Sequence, residues 1–121
     1  IERVAARVER LKVGHPLDPA TEIGPLIHQR HLDKVLSYFK IARDDGARIR
    51  VGGARAENLK PGLYVQPTLL THAKSTMRVA REEIFGPVLT VLPFEVVPRK
   101  WAAYWETTAQ AVTGAQERST T

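Results

Sequence analysis

Between His28 and Asp44 the residues Leu32, Val35, Leu36, Phe39 and Ala42 recur at steps of three and four. That spacing sets them along one stripe of an α-helix, and such a stripe has to be covered by something apolar. Asp45-Gly46 follows at once and supplies a left-handed stop. The chain must therefore build a layer for this helix to lie on.

The flanking segments offer one. Ala47-Arg48-Ile49-Arg50-Val51 alternates like a short strand and ends at Gly52-Gly53. Pro61-Gly62 is a turn, and Tyr64 to Leu70 reads as extended, with Pro67 marking an edge or an interruption. Residues 75–83 read as a short helix or turn. Val88 to Phe94 is nearly continuous in apolar residues, which predicts a strand covered on both faces. Ahead of the central helix, residues 1–13 form an amphipathic helix. Ile1, Val4, Ala5, Val8 and Leu11 line one side, and Arg3, Arg7 and Arg10 the other. Val13 to Ile27 holds three prolines and two glycines, which exclude regular structure. Leu17, Ile23 and Leu26 are expected to tuck into the surface. The order helix, loop, helix, strand, strand, strand predicts an α/β layered fold.

The first helix starts at Ile1 with no capping residue before it, so the chain reads as a fragment. Residues 1–95 are expected to form one unit. Residues 96–121 form a divergent tail, rich in Ala and Thr, expected to be disordered or weakly helical over 101–112.

Several functions are disfavoured by composition. There is no cysteine, which excludes a thiolate nucleophile, disulfides and cysteine-based zinc sites. The net charge of +5 is scattered singly among acids, as solvated surface charge is, so no nucleic-acid partner is expected. No run approaches the roughly 18 apolar residues of a membrane span. The N-terminus is not a secretory signal, so a cytoplasmic protein is expected. No phosphate-cradling glycine pattern occurs. His28 and His31, with Asp33 nearby, have the spacing of a weak metal site, but a surface pair needs no ligand, and no metal site is assigned.

The segment "AREEIFGPVLTVL", residues 80–92, carries the remaining chemistry. Glu82 and Glu83 point apart in either regular structure, so only one can serve a given site. Spacing favours a turn into a strand, with Phe85 in the core. The alternative is a carboxylate that accepts two hydrogen bonds from a vicinal diol. Phe85, two residues on in extended chain, would then offer a flat face on the same side.

Five blocks, "VGHPLDPATEIGPLI", "DDGARIRVGG", "GLYVQPTLL", "MRVAREEIFGPVL" and "LPFE", occur in an order and spacing similar to those of NAD(P)-dependent aldehyde dehydrogenases. The resemblance covers residues 1 to about 95 and implies part of that family's catalytic domain, with helices packed on a mostly parallel sheet. It implies that Glu83 binds the hydroxyls of the nicotinamide ribose, that Phe85 packs by the nicotinamide ring and that Gly86-Pro87 shapes the turn presenting them. Glu82 is left as surface charge. The family's cysteine nucleophile and general-base glutamate fall before the segment matching residue 1, so no catalytic residue is assigned here.

The expected function is that of a piece of an oxidoreductase that oxidises an aldehyde or semialdehyde to the acid, inactive as an isolated chain. The cofactor is NAD or NADP in the intact enzyme, with none held tightly by this chain. The wording of "RVAREEIFGPV" and "LPFE" is most similar to the 5-carboxymethyl-2-hydroxymuconate semialdehyde dehydrogenase type. The alternative is an interaction module that docks on an intact dehydrogenase subunit, or a weak nucleotide binder. An exposed apolar edge at Val88–Phe94 would favour association of the chain with itself or with such a subunit. After "LPFE" the chain departs from the family, which a shifted or truncated reading frame would explain.

Overall fold

The computed structural model describes residues 1–94, so the expected tail and its 101–112 helix lie outside the described residues. The elements in chain order are α1 (Glu2–Glu9), α2 (Gln29–Asp44), β1 (Arg48–Val51), β2 (Thr68–Thr71), α3 (Arg78–Arg81) and β3 (Val88–Thr90), with a 3-10 turn at Glu57–Leu59. The strands make a three-stranded sheet in the order β1-β2-β3.

The central strand is β2, and all four of its residues are buried. Leu70 faces α2, joining Leu32, Val35, Phe39 and Ala42 in the main core. Leu69 points the other way and packs on Ala5 and Val8 of α1. Alternation along one strand thus serves two helices, and the sheet is covered on both faces. Leu32, Val35, Phe39 and Ala42 of the α2 stripe are buried as their spacing predicts, Leu36 is half-buried against them, and Tyr38 joins the buried set. α1 is shorter than expected: Ala5 and Val8 are buried, while Ile1 and Val4 are exposed.

In this α/β arrangement the sheet is mixed rather than mostly parallel. β2 and β3 pair in parallel, whereas β1 and β2 pair antiparallel. The connections explain the difference. A helix, α3, lies between β2 and β3 and returns the chain in the same direction. Between β1 and β2 the chain folds back on itself, and an antiparallel bridge, Arg55 to Val65, prolongs the pair beyond a bulge at Ile49/Val51. Gly52, at φ +70°, follows that bulge just after β1, and a Cβ there would collide with the Pro67 carbonyl oxygen. Gly53 N then donates to Thr68 Oγ1 at 2.9 Å, and that hydroxyl donates to the Gln66 carbonyl at 2.8 Å. Pro67 interrupts the extended run, and the ladder starts just after it.

Two expectations are corrected. The strand at Val88 is three residues long and lies at the end of the sheet, with Leu89 47% exposed. Its apolar run does not distinguish a central strand from an edge; only the neighbours do. In the proline-rich loop, Ile23 and Leu26 are half-buried but Leu17 is exposed. A bridge between Val13 and Ile23 and the Arg7–Glu22 ion pair close that loop at its base, and Leu17 sits outside the closure. No helix among the described residues is long and apolar enough to cross a membrane.

Phe39, 1% exposed, lies in the core between α2 and the sheet. Phe39→Ala is expected to lower stability by about 3–5 kcal/mol, read from the urea midpoint of the chain.

Candidate functional site

The chain from Glu82 to Pro87 runs from the end of α3 into β3, alongside α2. Glu82 is firmly held. The Tyr38 hydroxyl donates to its Oε2 at 2.6 Å. Arg78 donates from Nε to Oε1 at 2.8 Å and from Nη2 to Oε2 at 2.9 Å. The Arg78 guanidinium also stands over the Tyr38 ring, 5.7 Å from its centroid. These bonds, Arg78's first and Tyr38's second, hold the Glu82 carboxyl down at about 2. The same bond to Glu82 raises the Tyr38 hydroxyl above its ordinary range. Glu82 is thus a tie between α3 and α2 rather than a loose surface charge.

Ile84 and Phe85 reverse the expectation from spacing. Ile84 enters the core at 8% exposed, whereas Phe85 stands 70% exposed. Phe85 has φ +60°, a left-handed conformation costly for a residue with a Cβ, on the order of 1 kcal/mol. The extended geometry that would align Phe85 with Glu83 is therefore absent. The turn is confined on both sides. Ile84 is drawn into the core, and Gly86 lies so close to α2 that a Cβ on it would meet the Val35 methyls at 3.0 and 3.2 Å. The chain then bends at Pro87, with Val88 N donating to the Gly86 carbonyl at 2.7 Å. The Pro87 carbonyl in turn accepts from Thr68 N at 2.9 Å.

His31 completes the arrangement. Its Nε2 donates to the Phe85 carbonyl at 2.7 Å, across 54 residues of sequence, with the proton on the nitrogen that a carbonyl acceptor requires. The His31 and Phe85 rings lie 6.4 Å apart, tilted by 54°. His28 caps α2, its Nδ1 accepting from His31 N at 3.0 Å. Asp33 accepts from Gln29 Nε2 at 2.7 Å. The two imidazoles, spaced like a weak metal pair, each hold a backbone group instead. The bond from His31 to Phe85 escapes sequence reasoning, since nothing in one sequence ties these two positions together. His28, Arg30, His31 and Lys34 line an open groove of about 420 Å³ that shares His31 with this contact.

Glu83 is exposed, and no hydrogen bond or ion pair among the described residues engages its carboxylate. An uncommitted carboxylate one residue from the buried Ile84, and two from an outward aromatic ring, fits a ligand that offers a vicinal diol beside a flat ring.

A profile of the aldehyde dehydrogenase family matches residues 1–99. The chain belongs to that family. It is 45% identical over 95 residues to a betaine aldehyde dehydrogenase of Cereibacter sphaeroides, covering 78% of this chain and 19% of that protein. It is 42% identical over 97 residues to one of Mesorhizobium japonicum, covering 78% and 20%. Among solved structures, the betaine aldehyde dehydrogenase of Staphylococcus aureus in complex with NAD+ superposes with a TM-score of 0.76 at 42% identity, over 78% of this chain and 19% of that one. HpcC from Thermus thermophilus superposes with a TM-score of 0.75 at 46% identity, over 78% and 19%. The chain therefore spans about a fifth of the length of the relatives it matches. The small mixed sheet with its helices is a part of the aldehyde dehydrogenase fold, and NAD(P) is that family's cofactor.

Burial predicts opposite outcomes at neighbouring positions. Ile84→Ala is expected to cost about 2–5 kcal/mol and Phe85→Ala no more than about 0.5 kcal/mol, as read from urea midpoints. The Glu82 carboxyl is held below the ordinary glutamate value of 4.5, so it is charged more readily in the folded chain than in the unfolded one. Its stabilisation is complete above pH 4.5 and is lost as pH falls towards about 2. Thermal midpoints across that range are expected to fall less steeply in Glu82→Gln than in the unaltered chain.

Proposed function

We propose that residues 1–95 are a piece of the catalytic domain of an NAD(P)-dependent aldehyde dehydrogenase of the cytoplasm, with residues 96–121 outside that unit. Within it Glu83 and Phe85 contact the nicotinamide riboside of the cofactor. The observation that carries this is the division of labour between neighbours: Glu82 is bonded to Tyr38 and Arg78, while Glu83, beside an outward Phe85, is exposed and has no partner among the described residues. When bound, the nicotinamide accepts a hydride. The chain's own residues bind and orient. The two Glu83 oxygens accept from the two ribose hydroxyls, and the Phe85 ring covers one side of a flat ligand and keeps water from it.

The sequence contains no cysteine and so offers no thiolate to attack an aldehyde. As an isolated chain it binds the nucleotide weakly and oxidises nothing. The substrate of the intact enzyme is an aldehyde or semialdehyde. The wording around residues 78–95 supports the 5-carboxymethyl-2-hydroxymuconate semialdehyde type, and the names of the relatives support betaine aldehyde. Parallel assays of the intact enzyme with the two aldehydes decide between them.

Nicotinamide mononucleotide, titrated into the labelled chain and followed by nuclear magnetic resonance, is expected to shift the Glu83 and Phe85 signals, and Glu83→Gln to weaken the effect several-fold. Signals that stay still throughout the titration would contradict the assignment. NAD+ reduction by the isolated chain with either aldehyde would contradict its inactivity.

A second reading, docking on an intact dehydrogenase subunit, is favoured by the end strand β3, with Leu89 47% and Phe94 74% exposed. Co-sedimentation with such a subunit, abolished by Leu89→Lys, is its expected signature.

A further inference from the structure

Three side chains on one face of α2, His31, Val35 and Tyr38, follow one another at spacings of four and three. Each meets the segment 82–86 at a different point. Tyr38 bonds the Glu82 carboxylate, His31 bonds the Phe85 carbonyl, and Val35 receives Gly86. The helix holds the segment along its length, and the exposed side chains of Glu83 and Phe85 make no hydrogen bond to it among the described residues.

Of the three, His31 meets the strained residue. A phenylalanine does not choose φ +60° without a compensating interaction. The turn at Ile84 and Gly86 confines the backbone, and the His31 bond to the Phe85 carbonyl is the one polar contact made to that residue's backbone by a side chain among the described residues. His31 sits in the first turn of α2, where its backbone N–H is bonded to His28 Nδ1, and the two histidine rings stand edge-on, 6.0 Å apart.

We propose that His31 is a positioning residue, whose Nε2–H holds the Phe85 carbonyl and so keeps the Phe85 ring turned outward to receive a flat aromatic ligand. That the ligand is a nicotinamide rests on the function proposed above; that His31 sets the conformation of Phe85 does not. The role needs a donor at the reach of Nε2, and a glutamine amide supplies one where a leucine does not.

The test uses the full chain, labelled for nuclear magnetic resonance, as the unaltered protein, His31→Leu and His31→Gln. Backbone couplings and chemical shifts report the φ of Phe85, and nicotinamide mononucleotide is the titrated probe. In His31→Leu, Phe85 is expected to leave the left-handed region and the apparent affinity for the probe to fall about tenfold, with both restored in His31→Gln. A merely structural histidine would lower the melting temperature without moving φ at Phe85. If Phe85 keeps its left-handed φ in a folded His31→Leu chain, the inference is overturned. If φ changes while the unaltered chain never responds to the probe, the positioning role stands and the nicotinamide reading falls.

Should His31→Leu fail to fold, Phe85→Gly supplies the second measurement, since glycine takes the same φ without strain. His31→Gln and His31→Ala are then compared by urea midpoint, once with Phe85 in place and once in the Phe85→Gly chain. The loss on going from glutamine to alanine is expected to be larger with phenylalanine at position 85. Equal losses on both backgrounds would overturn the inference.

Discussion

One face of α2, pressed against the sheet, organises the described chain. Leu32, Val35, Phe39 and Ala42 bury on the Leu70 side of β2, and burial of one large apolar side chain is worth about 1.5–3 kcal/mol. Because β2 is only four residues long, the helix also needs the neighbouring segments to cover it. Met77, Val79 and Ile84 do so from beyond the strand. That requirement draws the chain from α3 to β3 across the helix and brings the segment carrying the site within reach of Tyr38 and His31. The proposed cofactor-contact residues stand where they do because the core below them needs Ile84.

The site shows how burial and display are linked through chain geometry. Glu82 turns to Tyr38 and Arg78, Ile84 turns into the core, and Gly86 closes on Val35. Adjacent residues cannot all face one way, so Glu83 and Phe85 are left to the outside. At Phe85 this needs a left-handed backbone, held at its carbonyl by His31. Backbone strain, a captured carboxylate and an uncommitted carboxylate within four residues form a pattern that a turn into a strand does not require.

Much of the fold is legible where a periodic signal meets a single demand. The stripe of α2, its stop at Gly46, the strand after Ala47 and the break at Pro67 all follow from spacing and turn chemistry. The departures share one cause. The apolar run at Val88–Phe94 suggests cover on both faces, yet hydropathy carries no record of how many neighbours a strand has. The family resemblance implies a mostly parallel sheet, yet between β1 and β2 the chain folds back through the Arg55–Val65 bridge and the two strands pair antiparallel. The apolar ring of Phe85 suggests the core, and Ile84 takes that place. At this turn Ile84 faces inward and Phe85 outward, with Gly86 packed close on Val35.

From sequence alone come the family resemblance, the amphipathic helix and the lack of any thiol, because each is a property of residue type or of local order along the chain. Glu83 and Phe85 can be singled out by motif. Tertiary structure alone decided that Glu82 is tied to Tyr38, that Phe85 points outward and that His31 reaches its carbonyl. Those outcomes depend on contacts between residues some 44 and 54 positions apart, whose distances are set only once α2 has packed on the sheet.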